Sequence, residues 1–255
     1  MIRPGTCSVT LRQLPAAAVV DAAARAGLTG IEWGGDVHVP AGDVATARDV
    51  GESTRAAGLR VTSYGSYHRT GVHPDDAFDD VLATALALGA PRVRVWAGDR
   101  ASAQADAADR GRVAAGTADA VRRAAATGVE VGLEWHGGTL TDTPASTQAL
   151  LAAVDDLVGA PALRTYWQPA LDVGDDEALA GLALVLSRLA TLHVFAWWPG
   201  TQRQPLAARE GLWRSAFALT AATGREHDAL LEFVPGDDPA QLRRDAATLL
   251  GWLGP

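Results

Sequence analysis

Alanine-rich stretches of helical periodicity alternate along the chain with short apolar runs. One phrase recurs: a helical stretch ends at glycine, an apolar run follows, and an acidic, amide or aromatic residue closes it. RAGLTGIEW, RAAGLRVTSY, LALGAPRVRVW, AATGVEVGLEW, LVGAPALRTYW and, more degenerately, AATGREHDALLEF carry it. Glycine in that place fits a left-handed helix cap, and a run apolar on both faces reads as a buried parallel strand. With a first strand near Gly5 to Val9 and the run TLHVFAW near 191–197, the pattern predicts eight strands, each followed by a helix. Successive strands lie roughly 32 residues apart, the length a βα unit needs. Helices are predicted over 15–27, 43–57, 75–88, 106–127, 144–158, 175–189, 206–222 and 239–253, with Pro15, Pro144 and Pro239 in first turns where proline is tolerated. No Pro- or Ser-rich linker divides the series. The expectation is a single α/β domain over residues 1–255, a closed (β/α)8 TIM barrel.

In such a barrel the chemistry is carried where strands end. Those ends hold Ser8, then Glu32 and Trp33, Tyr64 and Tyr67, Arg94 and Trp96, and Glu134, Trp135 and His136 on the first five strands. Tyr166, Trp167 and Gln168 follow on the sixth, His193, Phe195 and Trp197 on the seventh, and Glu232 on the eighth. Alternate residues of a strand share a face, so Glu134 and His136, Tyr166 and Gln168, and His193 and Phe195 can pair toward the mouth. Glu134, Gln168, His193 and Glu232, from four successive strands, form an oxygen-rich set with one imidazole that suits Mn2+, Mg2+, Co2+ or Zn2+. Singly, Glu134 reads as a core acid paired with arginine and His193 as a hydrogen-bonded core histidine; their joint occurrence with Glu232 favours a site. Glu32, Asp36 and His38 either cap the following turn or line a pocket. Tyr64 and Tyr67 either pack or touch substrate. Arg94, inward-facing with Trp96, needs a carboxylate partner, either Glu134 or an oxyanion of the substrate.

Composition narrows the function classes. An apolar share of 48% with 20% charged residues supplies a large core. MIRPGTCSVT lacks an apolar leader core, and ALAGLALVLSRLA is interrupted by Ser187 and Arg188 short of a membrane span, so a cytoplasmic protein is expected. All 22 basic residues are arginine, which removes Schiff-base lysines and the phosphate-loop lysine. A net charge of −8 disfavours nucleic acid and anionic membranes as partners. The single cysteine, Cys7, can form neither an internal disulfide nor a thiolate metal site by itself.

The segments SVTLRQL, AGLTGIEWGGDVHVP, GLRVTSYGSYHR, VRVWAG, VGLEWHGGTLTDT, YWQPAL, LHVFAW and ALLEF together resemble the xylose isomerase-like family of metal-dependent sugar isomerases and epimerases, over the whole chain. The resemblance implies one divalent metal, Mn2+ foremost, held by a glutamate after strand five, an aspartate after strand six, a histidine on strand seven and a glutamate on strand eight. These fall on Glu134, Gln168, His193 and Glu232. Gln168 departs from the family's aspartate, in a run Gln168, Pro169, Ala170, Leu171 where the family has Asp-Pro-x-His/Asn. The arginine often found six residues after the histidine is replaced by Pro199, with Arg203 available from the same loop. Two glutamates balance a divalent ion where three carboxylates leave one negative charge over, so weaker metal binding is expected.

The chemistry so implied is 1,2-proton transfer through an enediolate, with Glu134 and Glu232 as acid and base on opposite sides of the reacting carbon. Glu32, Trp33, His38, Tyr64, Arg94, Trp96, His136, Trp167, Trp197 and Arg203 are the candidate substrate contacts, the tryptophans as flat walls for a sugar or polyol derivative. One alternative is a lyase that deprotonates an oxidised C-glycoside on the same site. Another is a metal-free sugar-binding or regulatory barrel, which Gln168 keeps open. The apurinic-site endonucleases share the fold but use more histidines and a basic face, and this acidic chain has six histidines. Barrels of this family often form homo-oligomers.

Overall fold

Parallel pairing joins each strand to the next and the eighth back to the first, so the computed structural model, which describes residues 1–254, is a closed barrel. Strands β1 (Ile2–Cys7), β2 (Gly30–Gly34), β3 (Arg60–Thr70), β4 (Arg92–Ala97), β5 (Glu130–Glu134), β6 (Arg164–Trp167), β7 (Leu189–Val194) and β8 (His227–Leu231) line the interior. Helices α1 (Ala16–Arg25), α2 (Val44–Ala56), α3 (Ala77–Leu88), α4 (Ala107–Ala125), α5 (Pro144–Val158), α6 (Asp175–Val185), α7 (Glu210–Ala221) and α8 (Pro239–Leu253) form the outer ring. The (β/α)8 expectation holds element for element. Glycines end the helices as the recurring phrase requires: Gly27, Gly58, Gly89, Gly128, Gly159 and Gly224 all adopt positive φ. At the opposite ends, Asp106 and Asp109 cap α4 reciprocally, and Thr143 caps α5 ahead of Pro144.

Several boundaries differ from the sequence pattern, among them that of β1, which ends at Cys7 and leaves Ser8 and Val9 in a 3-10 turn over Ser8–Leu11. Helix α6 stops at Val185 rather than 189, and β7 begins at Leu189, because Leu189 pairs with Thr165 of β6. The stretch is apolar throughout, so periodicity alone could not separate helix from strand. The expected start of the seventh helix at 206 is instead a short 3-10 turn, Leu206–Arg209, leading into α7. Among the described residues no helix is long and apolar enough to cross a membrane.

The barrel interior is layered by the strand period of two. At the amino ends, Arg92 and Arg164 hold Glu130 at 2.7 and 2.8 Å, and Arg60 reaches Asp228 at 3.0 Å. Above this ionic floor glycines make room for large neighbours. A Cβ on Gly132 would sit 2.3 Å from Cε2 of Tyr166, so the tyrosine ring crosses the barrel only because β5 carries no side chain there. The next inward position on β5 is Glu134, at the level of Glu32, Arg94 and His193. Outward-facing strand residues pack under the helices in one continuous apolar core that includes Trp33, Trp167 and Trp213.

Two predictions follow from this packing. Gly132→Ala should lower the unfolding free energy by about 1–3 kcal/mol, through overpacking against Tyr166, read as a shift of the urea midpoint. His68 and His227 are buried, 6% and 2% exposed. Burial foremost lowers the pKa of each to about 4, helped by His73 at the first and Arg225 at the second. Both therefore fold as neutral imidazoles. Their contribution is complete above the unfolded value near 6.5 and is lost as pH falls from there to 4, on the order of 2 kcal/mol each. Urea melts over that range should show the loss, and His68→Gln or His227→Gln should flatten the profile.

Candidate active site

The carboxyl ends of the strands bring a dense set of charged groups together beneath one cavity of about 500 Å³. Glu134 ends β5, Gln168 and Glu232 each stand one residue past β6 and β8, and His193 lies within β7. Around the Nδ1 atom of His193, Gln168 Oε1 lies at 3.3 Å, Glu134 Oε1 at 3.4 Å and Glu232 Oε2 at 3.6 Å. The Gln168 amide is oriented by its own nitrogen, which donates to the Trp135 carbonyl at 2.7 Å and leaves Oε1 turned inward. Four lone-pair-bearing atoms from four strands thus converge, and such a convergence calls for shared positive charge, either a proton or a cation.

The second oxygen of Glu134 is fixed from the other side. Its Oε2 accepts the indole N–H of Trp96 and forms an ion pair with Arg94, 2.9 Å from Nη1. Arg94 is 3% exposed and also lies 3.6 Å from Glu32. Glu32 accepts from Ser63 at 2.6 Å and stands 3.5 Å from His193 Nε2 and 3.9 Å from the Cys7 thiol. A carboxylate behind one imidazole nitrogen favours the proton there, which leaves the other nitrogen as a ligand atom. Glu32 acts on His193 from behind and does not line the cavity.

The electrostatics separate the two acids on the cavity floor. Burial works to raise the pKa of Glu134, but Arg94 and then His193 outweigh it and hold it at about 2. Glu232 is raised to about 7 by burial and by the charge on Glu134, against the pull of His193 and Arg94. Burial disfavours the imidazolium of His193, yet the carboxylates of Glu232 and Glu134 more than offset it and lift its pKa above the usual range. Burial pushes the Cys7 thiol up to about 12, so it stays protonated. Two like acids with widely separated pKa values are the arrangement that acid–base chemistry uses.

Of the expected substrate contacts, Arg94, Trp96, His136 and Trp197 line the cavity, together with Glu134, Gln168 and Glu232. Trp33, Tyr64 and Trp167 do not. They are fully buried on the outer face of the barrel, where the Trp33 indole donates to Thr54, the Tyr64 hydroxyl to the Val39 carbonyl, and Trp167 packs edge-on against Trp213. Strand alternation explains this, since Trp33 adjoins inward Glu32 and Trp167 lies between inward Tyr166 and Gln168. His38 is tied to Ser8 and the Leu14 carbonyl, both at 3.0 Å, and so shapes a turn. Arg203 pairs with Asp237 and stacks behind Trp197 and Phe233. The cavity also takes in Arg12, Tyr67, Asp142, Phe195 and Phe233. Arg12 follows a 3-10 turn beyond β1, outside any count of strand termini.

Residues 20–244 match the xylose isomerase-like TIM barrel family. The chain belongs to that family. No curated protein matches it by sequence. Among solved structures, this xylose isomerase-like barrel is similar to the probable 3-DHS dehydratase AsbF, involved in petrobactin synthesis, from Bacillus anthracis (19% identity, TM-score 0.79, 98% of each chain covered). It is also similar to D-psicose 3-epimerase from Clostridium cellulolyticum (15%, 0.74, 98% of each) and to the 3-keto-D-glucoside 4-epimerase YcjR from E. coli (17%, 0.72, 98% of each). At these identities the likeness is one of fold. The solved structures of similar fold thus include epimerases and a probable dehydratase.

Arg94 generates the prediction for this site. Arg94→Met should leave Glu32 and Glu134 buried without their counter-charge and cost about 3–5 kcal/mol. The Arg94→Met/Glu32→Gln double variant should recover part of that loss in the same denaturant melts.

Proposed function

We propose that the protein is a divalent-metal-dependent isomerase or epimerase that moves a proton between adjacent carbons of a sugar or polyol derivative. The observation that carries this reading is the convergence of Glu134, Gln168, His193 and Glu232 on one point. Donors about 2.1 Å from a common centre lie roughly 3.0–3.4 Å apart in regular geometries, and the spacings about His193 Nδ1 are 3.3, 3.4 and 3.6 Å. The charge also fits. Glu32, Glu134 and Glu232 against Arg94 leave two negative charges around a neutral His193, which one divalent ion neutralises. The sequence tally of two glutamates reached the same figure without Glu32 or Arg94, which cancel.

Those four residues would hold the ion, with Mn2+ favoured by a mixed carboxylate, amide and imidazole set. When bound, it supplies Lewis acidity that polarises the substrate's oxygens and stabilises charge as a carbon-bound proton leaves. The protein does the rest. Glu232 makes no side-chain hydrogen bond among the described residues and borders the cavity, which leaves it free to take up a proton. Glu134, whose Oε2 faces Trp96 and Arg94, borders the cavity and exchanges the second proton. Glu32 places negative charge 3.5 Å behind Nε2 of His193, whose Nδ1 faces the cluster. Trp96, Trp135, Trp197 and Phe233 exclude water around the reacting carbon.

Elimination from an oxidised glycoside begins with the same deprotonation, so it is the natural variant of this reading. A metal-free binding barrel is the competing one, because protons on His193 and Glu232 would also balance the cluster. Metal analysis of the dialysed protein discriminates between them. One divalent ion per chain is expected, with at least about tenfold weaker binding in Glu134→Gln and in Glu232→Gln, and exchange of a substrate C–H with solvent deuterium should be seen by NMR in the loaded protein. Absence of metal, with ligand binding unchanged in both variants, would establish the binding barrel instead.

A further inference from the structure

Arg12 stands at the cavity mouth, its side chain 40% exposed, and is held from three directions. Its Nε donates to Asp36 at 2.6 Å, its Nη2 donates to the Tyr67 hydroxyl at 2.7 Å, and its guanidinium lies 5.3 Å over the ring of Phe233. Nη1 has no partner among the described residues. Phe233 reaches this position with a left-handed backbone, φ 52°, a conformation that bulky residues rarely adopt, and the Thr10 hydroxyl braces its amide at 3.2 Å. An exposed arginine ordinarily wanders among rotamers. This one is fixed before any ligand arrives, in the lining of the cavity and with one N–H pair unpartnered among the described residues, so little ordering entropy remains to be lost on binding.

The charges around the cavity identify what would meet that pair. The floor holds Glu134 and Glu232, and the wall adds Asp142, one of whose oxygens accepts the Ser102 amide. Arg94 is sealed between Glu32 and Glu134. Among the described residues Arg12 is therefore the one arginine of the lining with an open donor pair. An acidic group on a substrate finds an unspent cationic donor pair in the lining only at Arg12, which orients the molecule with its reacting carbon toward Glu134 and Glu232. Asp36 already offsets part of the guanidinium charge, so the complement is a planar monoanion rather than a doubly charged phosphate.

We infer that Arg12 is the specificity-determining contact for a carboxylate, and that the substrate of this site is a sugar acid or cyclic polyhydroxy acid. The inference rests on the proposed reaction only for the assignment of the floor. Its test is equilibrium binding, by calorimetry and by quenching of tryptophan fluorescence, of matched acid and neutral ligands to the full chain, with and without Mn2+. The pairs are D-glucuronate with D-glucose, D-galacturonate with D-galactose, and quinate with myo-inositol; D-glucose 6-phosphate serves as the phosphate arm. In at least one pair the acid should bind about 10- to 100-fold more tightly than its neutral partner and than the phosphate, with a preference that weakens as salt rises. Arg12→Met should erase the preference without weakening the neutral ligand, and Arg12→Lys should restore only part of it, because an ammonium cannot hold Asp36 and Tyr67 together while facing outward.

Acid and neutral members that bind alike in every pair, a preference that survives in Arg12→Met, or tighter binding of the phosphate would each overturn the inference. Metal content separates the two readings. Arg12→Met that binds Mn2+ as the unaltered protein does, but has lost the acid preference, supports both. A metal-free protein that still prefers acids through Arg12 removes the proposed reaction and leaves the carboxylate contact standing.

Discussion

Arg94 is the charge on which the interior of this barrel depends. It brings a permanent cation within 2.9 Å of Glu134 and 3.6 Å of Glu32, in a place where either carboxylate alone would be forced to take up a proton. With the guanidinium present, Glu134 stays ionised and oriented, Glu32 stays ionised behind His193, and the remaining strain of like charges falls on Glu232. The difference between the two floor acids, which any acid–base chemistry here requires, therefore originates in one arginine on β4. A buried ion pair of this sort contributes little net stability when set against its desolvation, and its value lies in fixing which groups carry charge and where they point.

The scaffold beneath this cluster follows from volume. Gly132 lets Tyr166 lie across the barrel, and Gly5, whose Cβ would meet Leu230 and the Gly30 carbonyl at 2.6 Å, does the same on the other side. Side chains fill the level below the charged cluster, so the acids rest on a packed floor and can be reached only from the mouth. At that mouth the aromatic residues form two runs, Tyr67 on Trp96 and Trp96 on His136, and Phe195 on Trp197 and Trp197 on Phe233, with ring centroids 4.7–5.4 Å apart. This wall is apolar where the floor is charged. The combination keeps the local dielectric low and the electrostatic couplings strong.

Much of this was legible along the chain because it is written in local signals. Glycine caps after helical stretches and a two-residue period within strands were enough to count eight βα units and to mark their ends, and the structure places Glu134, Gln168, His193 and Glu232 together at those ends. The same reading erred over Trp33, Tyr64 and Trp167, which occupy the right level of the barrel on the wrong face. Adjacent residues of a strand point oppositely, and a run that is apolar on both faces gives no sign of which parity is inward. Arg12 and Phe233 were harder still, since they stand on different loops and share no period with each other or with Asp36.

The amino-acid sequence by itself determined the barrel, its closure after eight units, the level at which chemistry is possible and the residue types available there, because each of these depends on patterns within a few tens of residues. Tertiary structure alone decided that Arg94 serves two carboxylates at once, that Glu32 stands behind His193 rather than in the cavity, and that Arg12 is clamped by residues 24 and 55 positions away. Those are contacts between separate strands and loops, set by register and by the curvature of the closed sheet, and the energy of a charge depends on every neighbour that closure brings near it.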